Sequence, residues 1–258
     1  MNGLIQDEFG RQAAPMASAP AFTEARGLTN LLAALGAPPL GRILDVACGP
    51  GIVAEAIAPY ASKVVGVDAT PEMAAQAEAR LHKAGFTNAF FRIAQAEHLP
   101  FGPAEFDAAV TRLSFHHFPN LPAILAEIRR VLRPTGRLVV ADVVTSPDPE
   151  KAALHNTLEQ LRDPTHVRML TRPELLSTLR IGGFAPRSEQ SWEQKRSFAE
   201  WSKIVAAPER MCPLRQIMLA LARAGQDAGI QLHETEGDLQ FTHTWLLVVA
   251  ELVPAADM

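Results

Sequence analysis

Cysteine is nearly absent from this sequence: Cys48 and Cys212 are far apart and have no CxxC spacing. That argues against a disulfide framework and fits reduced thiols in a cytoplasmic protein. Long hydrophobic runs are missing too. The most apolar stretch, "TWLLVVAELV" at 244–253, is too short to span a bilayer and is broken by Glu251. The first twenty residues include Asp7, Glu8 and Arg11 and have no apolar core, so they do not read as a signal peptide. There is no excess of positive charge. Lys and Arg total 24 against 28 Asp and Glu, spread along the chain, which gives no reason to expect a nucleic-acid partner. No internal repeat or low-complexity linker divides the 258 residues, so one domain is preferred over two.

What is present is an alternation. "RILDVA" (42–47), "KVVGVD" (63–68), "AFFRIA" (89–94), "FDAAVTR" (106–112) and "RLVVADVV" (137–144) are short and apolar, as suits strands buried on both faces. Helical segments lie between them. Thr70 is placed to N-cap one that starts at Pro71 and ends near Gly85, and "LPAILAEIRRVL" (121–132) forms another. This order predicts a parallel, doubly wound α/β sheet. Further on, 149–163 has helical periodicity, and Thr171 and Glu174 match a capping box. Residues 198–228 read as two helices broken at Pro208, with Pro213 as a second candidate break, and two final strands flank them.

"ILDVACGPGIVAEAIA" carries the most chemistry. A strand ends at Ala47, a turn holds Gly49 and Gly51, and a helix begins near Gly51. The glycines let a ligand approach the backbone, and unpaired helix N–H groups face the same place. Asp68, ending the next strand, is placed to accept from ribose hydroxyls. A nucleoside ligand is therefore favoured over a plain tight turn. A nicotinamide site fits less well, because Asp45 lies within the strand leading into the glycines.

"LDVACGPG", "VVGVDATPEM", "AEHLPF", "FDAAVTRLSFHHF" and "VLRPTGRLVVAD", in this order, resemble the motif series of class I S-adenosylmethionine-dependent methyltransferases. The nearest branch is similar to the ubiquinone and menaquinone methyltransferases (methyltransferase type 11). The resemblance implies a Rossmann-like doubly wound seven-stranded sheet, its last strand antiparallel, with helical cap insertions. The single domain 1–258 then divides into an N-terminal arm or lid (1–25), a cofactor-binding core (40–145) and substrate-cap insertions (146–170 and 198–232). It implies S-adenosyl-L-methionine as cofactor and S-adenosyl-L-homocysteine as product. Asp45, Ala47, Gly49 and Gly51 would line the methionine and ribose part, and Asp68 would hold the ribose hydroxyls. Ala69 and Met73 would lie against the adenine, Gln95 and Ala96 at its edge, and Arg112 beside the methionine moiety. The family often has an acidic residue where this chain has Gln95. An uncharged acceptor there would weaken cofactor affinity by about 1 kcal/mol.

The adjacent His116 and His117 make a poor chelate, and no metal is expected. They follow the fourth strand, where open α/β sheets bind ligands, and the family places this loop beside the transferred methyl group. His116 is read as base or positioning group and His117 as a hydrogen-bonding wall residue; packing as core histidines would account for them equally well. In "DPTHVR", His166 would contact the acceptor or act as a second base, and Arg168 would bind an acidic or oxygen-rich one. A surface loop fixed by Asp163 and Arg168 is the alternative. Asp142 faces the cleft edge, Phe9 would cover the cofactor, and His155 reads as solvated on a helix face. The expected reaction is methylation of an O, N or C atom on a small-molecule acceptor. The rival keeps the fold but catalyses a cyclisation or elimination, or only binds a ligand. A nucleic-acid methylase is disfavoured, since "RLSFHHF" stands where an NPPY-like tetrapeptide would be. A homodimer is left open, because "LRQIMLALARA" suits a greasy pocket and core or dimer packing alike.

Overall fold

The computed structural model describes residues 2–253; Met1 and 254–258, at the ends of the expected domain, lie outside the described residues. Three helices come first: α1 (Asn2–Ser18), α2 (Pro20–Thr23) and α3 (Ala25–Leu35). The sheet then grows by strand–helix alternation. β1 (Leu40–Val46), α4 (Ile52–Ile57), β2 (Ala61–Asp68), α5 (Pro71–Lys83), β3 (Ala89–Ile93), β4 (Phe106–Arg112), α6 (Leu121–Val131) and β5 (Leu132–Val144) follow in turn. The rest comprises α7 (Pro149–Arg162), α8 (Arg172–Ile181), β6 (Phe184–Ser197), α9 (Phe198–Val205), α10 (Pro208–Arg223), β7 (His233–Thr235) and β8 (Asp238–Leu252).

The strand order is β3-β2-β1-β4-β5-β8-β6. β1 to β5 pair in parallel, and β8 runs antiparallel to both its neighbours, β5 and β6. This is the expected seven-strand path, a Rossmann-like sheet. The three-residue β7 pairs with the start of β8 and brings the described sheet to eight strands. Chain order reverses between β1 and β4, so the crevice beyond their carboxyl ends is where a ligand binds in such sheets.

Alternating side chains divide the sheet's apolar residues between two faces. Val46, Val67, Leu138 and Val248 join α6 and α8 on one side, whereas Ile43, Val64, Val139 and Leu247 join α3 and α4 on the other. A third cluster, with Trp201, Met211, Leu214 and Phe241, forms the cap of α7, α9 and α10. It rests on the far ends of β6 and β8. Both strands outrun the parallel core, and their pairing continues through Gln194–His243 and Arg196–Phe241. That overhang carries polar side chains out of the sheet and under the cap.

The structure corrects several expectations. β3 is an edge strand rather than doubly buried, with Phe90 48% and Ile93 59% exposed. The Lys63 ammonium sits 4.4 Å over the Phe90 ring. Thr70 precedes α5 without capping it by its side chain. Its backbone N–H donates to Asp68 Oδ1 at 2.9 Å, so the strand-end carboxylate organises this turn. Pro213 stays inside α10, and the break falls only at Pro208, after left-handed Ala206. The capping box of Thr171 and Glu174 forms with both its hydrogen bonds. The N-terminal arm is a packed helix that buries Glu8, Gln12 and Ala13. It is held by Glu8 on Arg210, by Gln12 on Asp163, and by Arg11 donating to the Val205 carbonyl.

Candidate active site

An outer cavity of about 260 Å³ opens beyond the ends of β1, β2 and β4, with α1 across it. Ala47, Gly49, Asp68, Ala69, Met73, Gln95, Ala96 and Arg112 all line it. Gly49 has φ 52°, and nothing lies within 4 Å of where a Cβ would stand, so the turn leaves its backbone open to a ligand. Asp68 Oδ2 accepts from the Gly49 N–H at 2.8 Å, which ties the two turns together. Burial pushes the Asp68 carboxyl above the usual carboxylate range, opposed by these backbone hydrogen bonds. Arg112 is buried beneath the cavity. One guanidinium nitrogen donates to the Phe22 carbonyl at 2.8 Å; Nε and Nη2 meet no acceptor among the described residues. Desolvation brings its pKa down to about 10, against the opposing pull of Glu24, Asp45 and Asp142.

Asp45 and Gly51 stand outside this lining. Asp45 is fully buried behind the turn; burial, with the Asp68 charge added, raises its pKa to about 8. Gly51 has φ 76°, and a Cβ there would stand 2.8 Å from the Ala77 methyl. Its bareness serves the close approach of α4 to α5 rather than a ligand.

The histidine pair occupies a 3₁₀ turn, Phe115–His117, after β4. Asp142, at the end of β5, fixes this turn with both carboxylate oxygens. Oδ2 accepts from the Phe115 backbone N–H at 2.8 Å, and Oδ1 lies 2.6 Å from His116 Nδ1. Nδ1–H donation to the carboxylate leaves Nε2 of His116 as its proton acceptor. Burial alone would lower the His116 pKa, but the charge and hydrogen bond of Asp142 outweigh it and hold it above the ordinary value. His117 is the opposite case. Burial and the neighbouring His116 charge bring it to about 4, so it is neutral at pH 7. Its Nδ1 lies 3.1 Å from Thr165 Oγ1 and 3.2 Å from the Thr165 carbonyl, and Phe9 of α1 packs edge-on against its ring. The pair thus divides into a carboxylate-backed imidazole and an aromatic wall.

An inner cavity of about 70 Å³ lies on the far side of this wall, under the cap. Phe9, Met16, Phe22, Leu113 and His117 border both cavities, so the two meet there. His116, Glu159, Arg162, Arg196, Trp201 and His243 belong to the inner one. Sequence reasoning passed over most of these, although two signals were present. Glu159 and Arg162 sit three apart on α7, and His243 keeps the period-2 phase of Phe241 and Trp245, both buried. His155, Glu159 and His243 also bring one ligand atom each within 4.8 Å of one another, so by spacing they could hold a metal ion where none was expected.

Three candidates land elsewhere. Arg168 is on the surface, paired with Glu174 at 2.9 Å beside a separate groove under α6 and α8. Its partner is neither an acceptor nor Asp163, because the capping box places Glu174 within reach. His166 donates through Nε2–H to Asn156 Oδ1 at 2.9 Å and sits behind His116, ring centroids 5.5 Å apart; burial takes its pKa to about 3. Neither cavity is lined by it. His155 is buried, 2% exposed, not solvated, because its face of α7 lies on the sheet side, with Nδ1 3.2 Å from Thr145 Oγ1 and its ring 5.7 Å from that of His243 on β8. Asp142 likewise stands behind His116 and outside both linings, a positioning residue rather than a substrate contact.

The comparisons agree with this geometry. Residues 44–140 match the family described as a methyltransferase domain. The chain is 33% identical to the uncharacterized methyltransferase YcgJ of Bacillus subtilis over 72% of this chain and 73% of that protein. The crystal structure of YcgJ is similar with a TM-score of 0.82 at 26% identity, covering 89% of this chain and 99% of that one. The 27-O-demethylrifamycin SV methyltransferase of Amycolatopsis mediterranei is 31% identical over 72% of this chain and 67% of that enzyme. The cyclase SpnF shares the fold alone, at 22% identity, a TM-score of 0.61 and coverage of 88% and 80%. Sheet order and the glycine turn after β1 define a Rossmann-like α/β protein. Within that class, the chain belongs to the class I S-adenosylmethionine-dependent methyltransferase family, enzymes that transfer methyl groups.

Proposed function

We propose that this methyltransferase binds S-adenosyl-L-methionine in the outer cavity and methylates a small molecule held in the inner one, with His116 as the base. The observation that carries this reading is the His116–Asp142 dyad, whose imidazole lines the inner cavity next to the His117 wall that borders both cavities. The residues present suit the cofactor. Gly49 and Asp68 would take the ribose, and the unpaired nitrogens of Arg112 would take the methionine carboxylate. Gln95 and Ala96 would meet the adenine. When bound, the cofactor supplies an electrophilic methyl group, so the protein's work is alignment, proton removal and exclusion of water.

His116 Nε2 takes the proton of the accepting atom, and Asp142 stabilises the imidazolium that results. The raised pKa of His116 gives it proton affinity, at the cost of partial protonation near neutrality. Phe9 and His117 close the junction against water, and α1 is pinned over it through Gln12 and Asp163. Asp142 acts through His116, so Asp142→Asn should move the acid limb of the pH–rate profile to lower pH as well as reduce kcat. No helix among the described residues is long and apolar enough to cross a membrane, and both cysteines are free, which supports a cytoplasmic setting.

Calorimetric titration with S-adenosylhomocysteine, followed by turnover assays that detect that product, tests the reading. Micromolar binding and product formation with an acceptor are expected. Failure to bind the nucleoside would sink it, and conversion of a substrate with no S-adenosylhomocysteine formed would favour cyclisation or elimination instead.

A further inference from the structure

The inner cavity has a surplus of hydrogen-bond donors. Arg162 Nε, Arg196 Nε and Nη2, Trp201 Nε1 and Trp245 Nε1 are all buried and meet no acceptor among the described residues, and all four residues line the cavity. Buried polar groups are nearly always paired, so five such nitrogens around one cavity point to the chemistry of what it takes. The acceptors nearby are already engaged. Glu159 receives Arg162 at 3.2 Å and touches His243 at 3.4 Å. Asp163 receives Gln12 at 2.9 Å and Thr165 through its N–H at 2.9 Å and its hydroxyl at 2.6 Å.

Arg196 is the decisive residue. It is 6% exposed, and its ion pair with the partly exposed Glu200 is long, 3.6 Å from Nη2, so Nε and Nη2 make no hydrogen bond among the described residues. A buried charge with so distant a partner is costly unless a closer counter-charge meets it. Arg162 differs, because its guanidinium stacks over Trp201 at 4.8 Å and already pairs with Glu159. The planar fork of a guanidinium matches a carboxylate with two parallel bonds. Val143, Met169, Ile204 and the two indoles supply an apolar remainder to the wall.

We propose that the inner cavity is an anion site, and that the acceptor is a small carboxylic acid. Arg196 holds its carboxylate with Arg162 alongside, while its methyl-accepting atom faces His116. The acceptor's role rests on the methyl-transfer reading above; the anion site stands without it. A divalent cation on His155, Glu159 and His243 is the competing occupant. It would add positive charge beside two guanidinium groups and leave the five donors unpaired. An anion satisfies both.

The test is calorimetry on the unmodified protein with salicylate, 4-hydroxybenzoate and their matching amides, each with and without S-adenosylhomocysteine. Acids should bind at least about tenfold more tightly than amides, and Arg196→Met should erase that difference while Arg196→Lys keeps part of it. Equal binding of acids and amides overturns the proposal, as does undiminished acid binding by a folded Arg196→Met variant. So does a stoichiometric divalent metal in the isolated protein that His155→Ala removes. Arg196-dependent acid binding in a protein that ignores S-adenosylhomocysteine would uphold the anion site and sink the methyl-transfer reading.

Discussion

The two cavities are built by different means. The outer one is made from chain segments that each carry their own instruction: a strand, a glycine turn, a helix start, and an acid at the end of the next strand. Each of its groups ends or follows a strand, and the parallel sheet only has to bring neighbouring strand ends together. The inner cavity takes Gln12 from α1, His116 from the turn after β4, Glu159 and Arg162 from α7, Arg196 from β6, Trp201 from α9 and His243 from β8. No two of these elements state the site by themselves. One cavity is thus local chemistry repeated along a sheet edge, and the other is assembled by the cap.

The largest expected effect separates the two beside the wall they share. His116→Ala should lower methyl transfer by about 10²- to 10⁴-fold while S-adenosylhomocysteine affinity stays within about twofold, read from steady-state kinetics and calorimetry. A loss below tenfold would make His116 a wall residue like His117. Next, Asp68→Ala should weaken S-adenosylhomocysteine by roughly 10- to 100-fold, the loss of charge-assisted bonds worth about 1.5–3 kcal/mol, and leave acid binding in the inner cavity unchanged. Coupled losses would mean that the cavities act as one.

A pH scan addresses the histidines around the inner cavity. His117, His155 and His166 have pKa values lowered from 6.5 to about 4, 4 and 3 by burial. A depressed folded pKa gives stability that is present above the unfolded value and lost as pH falls below it. His116, whose pKa is raised, acts in the opposite sense and favours the folded state at low pH. His243 is lowered too, and these four histidines outweigh His116 and the raised Asp45 carboxyl, so the melting temperature should fall by a few °C between pH 7 and pH 5. A flat profile would show that these imidazoles reach solvent. The smallest effect belongs to Arg168→Ala, which removes an exposed pair with Glu174. It should change stability by less than about 0.5 kcal/mol and acid binding not at all. A defect in acid binding would restore Arg168 to the acceptor site.

Legibility followed the same division. Ala47, Gly49, Asp68 and Arg112 were readable because strand ends and turns announce themselves in period and in glycine. Gly51 was readable as a required glycine, but the reason, contact with Ala77 some 26 positions on, was not. His155 seemed solvated because α7 has a polar face in sequence, and only the tertiary structure shows that its face lies on the sheet side. Arg168 looked functional by its neighbours in "DPTHVR", until the helix cap at Glu174 claimed it.

By itself, then, the sequence determined the alternation of strands and helices, the glycine turn and the place of the His pair after the fourth strand. These depend on hydrophobic period, glycine conformations and contacts short in sequence, which local physics decides. Tertiary structure alone decided which histidine is backed by a carboxylate, because Asp142 reaches His116 across 26 residues. It also decided that Arg196 is buried with only a long ion pair to Glu200, because the overhang of β6 and β8 carries it beneath α9. Charge at a buried site is set by what packs against it, and the packing partners here come from both ends of the chain.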